Sequence, residues 1–189
     1  MKIHKTKIPE VFLIVPDVFQ DERGWFMETF QVSEYSKLGI PYIFVQDNHS
    51  RSRRGVLRGL HYQIIHPQGK LIRVILGEVY DVVVDIRKGS STFGKWVGEY
   101  LTANNKVQLW APPGFAHGYY VLSEWAEFIY KTTDYYAPGF ERTLLWNDPD
   151  ILINWPLING ELPLLSLKDS QGKLLAEAEV FDIDFIKPL

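Results

Sequence analysis

The sequence lacks several features that would point to particular classes of protein. None of its 189 residues is cysteine, which excludes disulfides, thiol nucleophiles and thiolate metal sites. No apolar run approaches the ~18 to 20 residues that cross a bilayer, and no charged and then apolar leader opens the chain. We therefore expect a cytoplasmic protein that has no membrane partner.

The charge balance argues against nucleic acid as a partner. The formal net charge is -3 and the pI is near 6.0, so the sequence predicts no extended basic surface. The one basic cluster is Arg51-Ser52-Arg53-Arg54. Two interpretations of this cluster stay open, a solvated loop or a contact to a phosphate group.

Short segments rich in Val, Ile, Tyr, Phe and Trp alternate with turns that contain Gly, Pro, Asn or Asp. This pattern is typical of a β-sandwich or barrel, and the length suits one domain, 1–189. Short helices are predicted at 33–38, which Ser33 begins and Gly39 follows, and at 170–179. The predicted strands are 11–15, 25–30, 42–48, 56–62, 70–76, 79–86, 95–102, 106–111, 118–122 and 125–132.

Two of these strands are apolar on both faces. They are 71–76 and 82–86, and such a pattern indicates that their outward surface is buried as well. A homodimer would bury it. The alternative is that loops and the C-terminal helix of the same chain cover those faces.

Two segments, 55–61 and 112–117, resemble a metal site from which ligands have been removed. In the jelly-roll proteins called cupins, a G-x5-H-x-H stretch and a later P-x-G-x2-H stretch supply three imidazoles to a divalent metal. Here His61 and His117 remain, but Gln63 replaces the second imidazole and Lys70 adds a cation. A cation repels a metal, so we expect a metal-free site in which these groups and Arg58 suit an anion or a developing enolate.

Charged residues within apolar strands are a further signal, because a buried charge persists only where it is paired or used. The residues of this kind are Arg58, His61, Lys70 and Arg73. For Arg58 and Lys70 the alternative is an internal salt bridge to Glu28 or Asp85.

Eight segments, which together span about residues 10 to 170, carry a family resemblance. They are DERGWFME (21–28), QDNHS (46–50), GVLRGLHYQ (55–63), QGK (68–70), DIR (85–87), PGFAHG (113–118), WNDP (146–149) and LKD (167–169). In this order they resemble the successive motifs of the dTDP-4-dehydrorhamnose 3,5-epimerase family.

The resemblance implies an isomerase with an all-β fold, a cupin-like jelly-roll β-sandwich with a few short helices. It implies a homodimer that acts on dTDP-4-dehydro-6-deoxy-D-glucose and inverts C3 and C5 without any cofactor or metal, on the way to dTDP-L-rhamnose. Both carbons flank the C4 ketone. Each proton can therefore be removed only if the enolate oxygen is stabilised, and it must return from the opposite face of the ring.

The resemblance also implies catalytic roles. His61 matches the general base, Asp169 the carboxylate that orients it, Lys70 the ammonium beside the C4 oxygen, and Tyr130 the general acid. Without the motif, His61 would be read as a satisfied histidine at a strand end and Tyr130 as a core aromatic. Asp169 alone would be read as a helix-capping residue.

Ten further positions match substrate contacts of the family. Tyr136 would stack on the thymine, and some contacts would come from the partner chain. His117 would line the sugar pocket with Arg58, and Arg23 and Glu28 have the alternative of pairing with each other across a hairpin. The full set is Arg23, Glu28, Gln46, Asp47, Asn48, Arg58, His117, Tyr136, Glu141 and Lys168.

Three other functions compete with this interpretation. A single-site 3- or 5-epimerase for another dTDP-deoxysugar shares the base, the lysine and the nucleotide contacts, and Tyr130 favours the double epimerase. A non-catalytic cupin that binds a sugar nucleotide would lack His61 or Lys70. A metal-dependent cupin oxygenase is disfavoured by Gln63 and Lys70.

Overall fold

Short strands make up most of the secondary structure. The structure is a computed structural model that describes residues 1–185. Two short α-helices are α1, Val32–Lys37, and α2, Leu167–Ser170, and 3-10 turns lie at Pro138–Phe140, Ile158–Gly160 and Ile183–Phe185. The strands are β1 Lys2–Lys5, β2 Phe12–Val15, β3 Phe19–Asp21, β4 Gly24–Phe26, β5 Gln46–Arg53, β6 Leu57–Gln63, β7 Lys70–Leu76, β8 Glu78–Asp85, β9 Arg87–Lys88, β10 Trp96–Thr102, β11 Gln108–Ala111, β12 Phe115–Val121, β13 Trp125–Thr132, β14 Glu141–Thr143 and β15 Phe181–Asp182.

Two antiparallel sheets form a sandwich. One sheet has the order β1-β2-β11-β7-β13-β5, and the other has the order β10-β8-β12-β6-β14. Thus β5 and β14 are edge strands, whereas β6, β7, β12 and β13 have a neighbour on each side. The cupin-like jelly roll expected from the sequence is confirmed. No helix among residues 1–185 is long and apolar enough to span a membrane.

Part of the space between the sheets is filled by apolar side chains. Ile72 of β7, Val83 of β8 and Phe128 of β13 are fully buried there and belong to one cluster. Alternate residues of these strands face inward, as the pleat requires. The apolar filling supports the sandwich next to a polar cavity, which occupies the rest of the space.

The outward face of β8 is covered by the C-terminal part of the same chain. Val82 and Val84 are fully buried in a cluster that includes Trp155. The chain therefore accounts for this apolar face without a partner. At the end of β7, Ile75 and Leu76 are exposed by 37% and 43%. The homodimer stays a prediction, and β8 does not support it.

A β-bulge in β6 controls which side chains face inward. His117 of β12 pairs with His61, and Tyr119 of β12 pairs with Arg58. Two steps along β12 thus correspond to three steps along β6. In a regular strand, residues three apart point to opposite faces, but an extra residue re-aims one of them. Arg58 and His61 consequently line the same cavity.

The bulge lies where two glycines meet. Gly59 of β6 has a φ of 125°, and a Cβ built on it would lie 2.5 Å from the Cα of Gly118 on β12. A Cβ on Gly118 would lie 2.7 Å from the carbonyl oxygen of Arg58. Any side chain at either position would push the two strands apart.

The C-terminal helix expected at 170–179 is wrong. Helix α2 ends at Ser170, and the chain continues in turns and an isolated bridge between Leu144 and Lys173. The Lys173 amide donates to the Thr143 carbonyl at 2.9 Å, and the Leu145 amide donates to the Lys173 carbonyl at 2.8 Å. Pairing with the segment after β14 uses the peptide groups that a helix would need.

Most predicted strands agree with the structure, but two positions shift and five short strands were missed. The segment 25–30 is a strand only as β4, and 42–48 becomes β5, which continues to Arg53 because all eight of its residues pair with β13. The basic cluster is thus largely strand, so the loop interpretation is wrong. The missed strands are β1, β3, β9, β14 and β15. Helix α1 begins at Val32 with Gln31, not Ser33, as its N-cap.

The single-domain prediction covers 1–189, and residues 186–189 lie outside the described residues. It stays a prediction. Residues 1–185 contain the two sheets and the clusters between and around them.

The approach of β6 and β12 predicts a large cost for one added methyl group. We expect Gly118→Ala to lower the free energy of unfolding by about 1–3 kcal/mol, because its Cβ would overlap the Arg58 carbonyl. Gly139→Ala is the matched control, since a Cβ there meets nothing within 4 Å. Denaturant titration measures both, and equal stability of the two variants would contradict the prediction.

Candidate active site

A cavity of about 370 Å³ lies between the two sheets. Its size falls in the range of small-molecule sites. Most of its lining side chains are polar or charged, although it lies within an apolar sandwich. They are Gln46, Asn48, His49, Ser50, Arg58, His61, Tyr62, Gln63, Gln68, Lys70, His117, Tyr119, Phe128, Tyr130, Tyr136, Glu141 and Lys168.

His61 and Asp169 form a buried pair. His61 Nε2 lies 2.6 Å from Asp169 Oδ1, and the Ser166 hydroxyl donates to Asp169 Oδ2 at 2.6 Å. Burial works to raise the pKa of Asp169, but the hydrogen bonds from His61 and Ser166 hold that pKa below its ordinary value. Asp169 is therefore ionised and must accept from Nε2, which leaves Nδ1 as the basic nitrogen of a neutral imidazole.

Burial also favours the neutral form of His61. Desolvation lowers the pKa of His61 below its ordinary value, and the hydrogen bond to Asp169 opposes that effect. An imidazole in this state can accept a proton at neutral pH. Once it is protonated, the adjacent carboxylate stabilises the cation.

Lys70 is a buried cation beside this pair. Its side chain projects from β7, and Nζ donates to the His61 carbonyl at 3.2 Å. Burial lowers the pKa of the Lys70 ammonium to about 8, while Glu141 and Asp81 oppose that shift. At neutral pH the ammonium is still the main form, so the cavity holds a positive charge in a site of low dielectric.

The salt bridges considered for Lys70 and Arg58 are absent from the described residues. Asp85 accepts hydrogen bonds from Arg87 instead, and Glu28 is exposed. Arg58 donates from Nε to the Ser52 hydroxyl at 3.0 Å. That contact leaves the two terminal nitrogens of the guanidinium available for an anion.

His117 forms a second buried pair, with Asp81. Its Nε2 lies 2.9 Å from Asp81 Oδ2, and its position on β12 is directly opposite His61 on β6. Burial raises the pKa of Asp81, and His117 and Lys70 oppose this effect. The pairing fixes the His117 ring at the floor of the cavity.

Tyr130 faces the same cavity from the other sheet. It lies on β13, whereas His61 lies on β6 of the opposing sheet. Phe128 packs beside it, and Tyr119 stacks on Phe128 with ring centroids 4.2 Å apart. Burial raises the pKa of Tyr130, and Tyr119 adds to the shift. The phenol is therefore protonated and can serve as a proton donor.

Polar groups on the edge strands and adjoining loops form the rim of the cavity. The Tyr136 hydroxyl donates to Glu141 Oε2 at 3.0 Å, and Lys168 Nζ donates to Glu141 Oε1 at 2.9 Å. Gln46 Oε1 accepts from the Tyr136 amide at 2.9 Å, and Gln46 Nε2 donates to Asn48 Oδ1 at 2.9 Å. The Tyr136 ring stays 52% exposed, so an aromatic face is available for stacking.

The residues of the cupin metal motif do not fit a metal here. Gln63 is 3% exposed, and its amide hydrogen-bonds to the backbone of His66, Tyr135 and Ala137. The imidazoles of His61 and His117 are each hydrogen-bonded to a carboxylate. No group of three or more His, Cys, Asp or Glu residues within 1–185 is arranged to hold a metal ion.

Three of the expected substrate contacts do not reach the cavity within one chain. Arg23 lies in the exposed β3–β4 hairpin and pairs with Asp21, not with Glu28. Neither Arg23 nor Glu28 lines the cavity. The third, Asp47, follows from strand geometry and is described next.

Asp47 points to the outer face of the sheet because neighbouring residues of a strand face opposite sides. Gln46 and Asn48 face the cavity, whereas Asp47 forms an ion pair with Lys131 at 2.9 Å. Arg73 also lies on this outer face, where it lines a second cavity with Asp47. Arg51, Arg53 and Arg54 do not line the main cavity.

The sequence analysis missed several residues of the site. Ser166 and Asp81 each bond to a group that lines the cavity, and Tyr119 and Ser50 line it with their hydroxyls 2.9 Å apart. Period-two alternation from Gln46 would have placed Ser50 inward. Ser166 is the N-cap of α2. The predicted helix at 170–179 begins after Ser166, so the prediction gave Ser166 no role.

Comparisons with known proteins agree with this geometry. The family model described as dTDP-4-dehydrorhamnose 3,5-epimerase matches residues 5–177. A protein of that name from Pseudomonas aeruginosa is 59% identical over 182 residues, 96% of this chain and 99% of the relative.

Solved structures give the same result. A dTDP-6-deoxy-D-glucose-3,5-epimerase from Legionella pneumophila, in complex with dTDP-4-keto-L-rhamnose, superposes with a TM-score of 0.93 at 52% identity, covering 96% of this chain and 97% of that one. A 3'-monoepimerase from Streptomyces bikiniensis, in complex with dTDP-quinovose, superposes with a TM-score of 0.84 at 32% identity, covering 92% and 87%. The chain therefore belongs to the dTDP-4-dehydrorhamnose 3,5-epimerase family.

Proposed function

We propose that the cavity binds dTDP-4-dehydro-6-deoxy-D-glucose and inverts C3 and C5 to give dTDP-4-dehydro-L-rhamnose. The observation that carries this proposal is the placement of His61 and Tyr130 on opposing sheets that face one cavity. Inversion needs a base on one side of the sugar ring and an acid on the other. A ring held between the sheets would present its two faces to these two groups.

His61 is the general base. Its Nδ1 takes the proton from the carbon beside the ketone, and the electron pair of that C–H bond moves into the enolate. Asp169 accepts from Nε2 at 2.6 Å and stabilises the imidazolium that results. Ser166 and the Gly59 amide hold the carboxylate in place.

Lys70 stabilises the enolate. As negative charge develops on the C4 oxygen, the buried ammonium offsets it without reorganisation of solvent. Burial lowers the pKa of Lys70 to about 8. This value is closer to the pKa of an enol, so Lys70 and the C4 oxygen can share a proton as the enolate forms. One such cation serves both C3 and C5, because both carbons share the C4 ketone.

Tyr130 is the general acid. It donates its phenolic proton to the carbanionic carbon from the face opposite His61, and the electron pair of the enolate forms the new C–H bond. The step leaves a phenolate and an imidazolium. Solvent must then return a proton to Tyr130 and remove one from His61 before the second carbon is inverted.

The rim groups bind the nucleotide. The exposed ring of Tyr136 suits stacking on a thymine, and Gln46 and Asn48 supply amides beside it. Arg58, with two free terminal nitrogens, and Lys168 suit the pyrophosphate. The reaction uses proton transfer alone, so it requires neither metal nor cofactor.

A single-site 3- or 5-epimerase is the second candidate. The monoepimerase from Streptomyces bikiniensis has the same fold, and its similarity to this chain is 32% identity against 59% for the 3,5-epimerase from Pseudomonas aeruginosa. This difference favours the double epimerase. Counting the carbons that exchange with solvent separates the two.

A homodimer completes the site. The β3–β4 hairpin pairs only with itself, and its aromatic residues Phe19, Trp25 and Phe26 are 56–69% exposed. An exposed apolar patch of this kind is typical of an interface. If the hairpin reaches the cavity of a second copy, Arg23 and Glu28 join a site from which they are absent within one chain. The cytoplasmic location stays a prediction.

The function and the base are tested together by incubation with dTDP-4-dehydro-6-deoxyglucose in deuterated water. The native protein is expected to introduce deuterium at C3 and C5, read by NMR. We expect His61→Ala to slow both exchanges by about 10²- to 10⁴-fold while dTDP binding stays nearly intact. His66→Ala is the control, because His66 lies outside the cavity and pairs with Asp134. Near-native exchange in His61→Ala would assign the base elsewhere.

Removing only the Tyr130 hydroxyl separates proton removal from proton return. The Tyr130→Phe variant keeps the ring packed beside Phe128, so it should still form the enolate through His61 and Lys70. We expect solvent deuterium to enter with retained configuration while inverted product falls by about 10²-fold or more. A variant that inverted both carbons at the native rate would leave Tyr130 as a packing residue.

A mixed dimer tests whether Arg23 acts across subunits. One subunit carries Arg23→Ala, the other His61→Ala, and two different affinity tags isolate the heterodimer. If each site combines His61 of one chain with Arg23 of the other, one of the two sites is intact, and about half the native activity returns.

The matched control pairs His61→Ala with Tyr130→Phe. These two residues line one cavity of the same chain, so neither site of that heterodimer is intact and no activity should return. Equal, near-zero activity of the two heterodimers would place Arg23 in the site of its own chain. Native activity of the Arg23→Ala homodimer would place Arg23 outside both sites.

A further inference from the structure

Gln63 occupies the position at which the cupin motif has an imidazole, and its side chain has a different task here. Its Nε2 donates to the carbonyl of His66 at 2.8 Å and to the carbonyl of Tyr135 at 3.2 Å. Its Oε1 accepts from the amide of Ala137 at 2.8 Å. The amide is 3% exposed, so water cannot readily replace these contacts.

Two of these hydrogen bonds hold the peptide groups on both sides of Tyr136. The Tyr135 carbonyl belongs to the peptide that precedes Tyr136, and the Ala137 amide belongs to the peptide that follows it. The segment lies between the end of β13 at Thr132 and the 3-10 turn at Pro138. Because no strand ladder orders it, side-chain contacts must define its backbone.

Tyr136 is held at two further points, yet its ring is not covered. Its amide donates to Gln46 Oε1, and its hydroxyl donates to Glu141 Oε2. The side chain nevertheless stays 52% exposed at the rim of the cavity. A ring that is fixed in place before binding loses little conformational entropy when a flat ligand stacks on it.

We infer that Gln63 is a positioning residue that preorganises Tyr136 as the stacking surface for a nucleobase. The side chain that replaces a metal ligand thus sets affinity for a nucleotide. The inference rests on the proposed function, in which the base is the thymine of dTDP. Gln63 acts through Tyr136 and makes no contact with the base itself.

This inference makes a prediction that general destabilisation does not make. Loss of Gln63 should weaken binding of dTDP, which carries a base, and should leave binding of inorganic pyrophosphate unchanged. Arg58 is held by Ser52, and Lys168 keeps its own ion pair with Glu141 when the backbone at Tyr136 shifts. It should also have no further effect once the ring of Tyr136 is gone.

The experiment is calorimetric titration of dTDP and of pyrophosphate into the full chain and its variants. Gln63→Met keeps the size of the side chain and removes both its donor and its acceptor. We expect the Kd for dTDP to rise about five- to tenfold, and by no more than in Tyr136→Ala, since stacking on an aromatic ring is worth about fivefold or more in affinity. The double variant should bind within about twofold of Tyr136→Ala alone. Gln171→Met is the matched control, because Gln171 is exposed and lies outside the cavity.

Three results would overturn the inference: unchanged dTDP affinity in Gln63→Met, an equal loss for pyrophosphate, or losses that add in the double variant. If Gln63→Met does not fold, Gln63→Glu decides, since it keeps an acceptor for Ala137 and removes the donor to Tyr135. Failure of the native chain to bind dTDP would contradict the proposed function instead, so the two failures are distinguishable.

Discussion

The cavity depends on the contact between β6 and β12 at Gly59 and Gly118. No side chain fits between the two backbones, and the bulge that they allow turns both Arg58 and His61 inward. In a regular strand, one of these two residues would face the C-terminal segment on the outer side of the sheet. The group proposed to bind the pyrophosphate and the proposed base would then lie on different surfaces. The electrostatic properties of the site therefore depend first on the close contact between these two glycines.

Burial then assigns the protonation states. The hydrogen bonds to Asp169 keep it ionised, desolvation keeps His61 neutral, and the phenol of Tyr130 is held in its acid form. Lys70 retains most of its charge although it is surrounded by protein. The four groups are thus, without a substrate, in the forms that the proposed proton abstraction and return require.

Much of the fold was predictable because alternation and turn residues recur along the chain. The sequence also indicated that His61 and Lys70 have a function, because a charged side chain within an apolar strand is stable only where it is paired or used. The partner of His61 was not derivable from pattern alone, because Asp169 is 108 residues away. The resemblance supplied it. The helix at 170–179 failed because pairing of Lys173 with the segment after β14 overrode local propensity.

Other limits of sequence reasoning have geometric causes. Asp47 matches a substrate contact of the family together with Gln46 and Asn48, but a strand sends adjacent side chains to opposite faces. Arg23 belongs to a hairpin that does not reach the cavity of its own chain, and a motif does not specify which copy of a chain supplies a contact. The bulge itself leaves no periodic signal, because it consists of the interruption of a period.

The position of β5 and β14 at sheet edges has a consequence for how such a site can change. Three groups of the rim, Gln46, Asn48 and Glu141, project from β5 and β14, each of which has a single neighbouring strand in its sheet. Tyr136 and Lys168 lie in the loop after β13 and in α2. The proposed proton-transfer groups project from β6, β7 and β13, each with two neighbouring strands. A substitution at the rim disturbs fewer neighbours than one in the middle of a sheet. The choice of sugar nucleotide can therefore change among related chains while the proposed acid, base and cation stay the same.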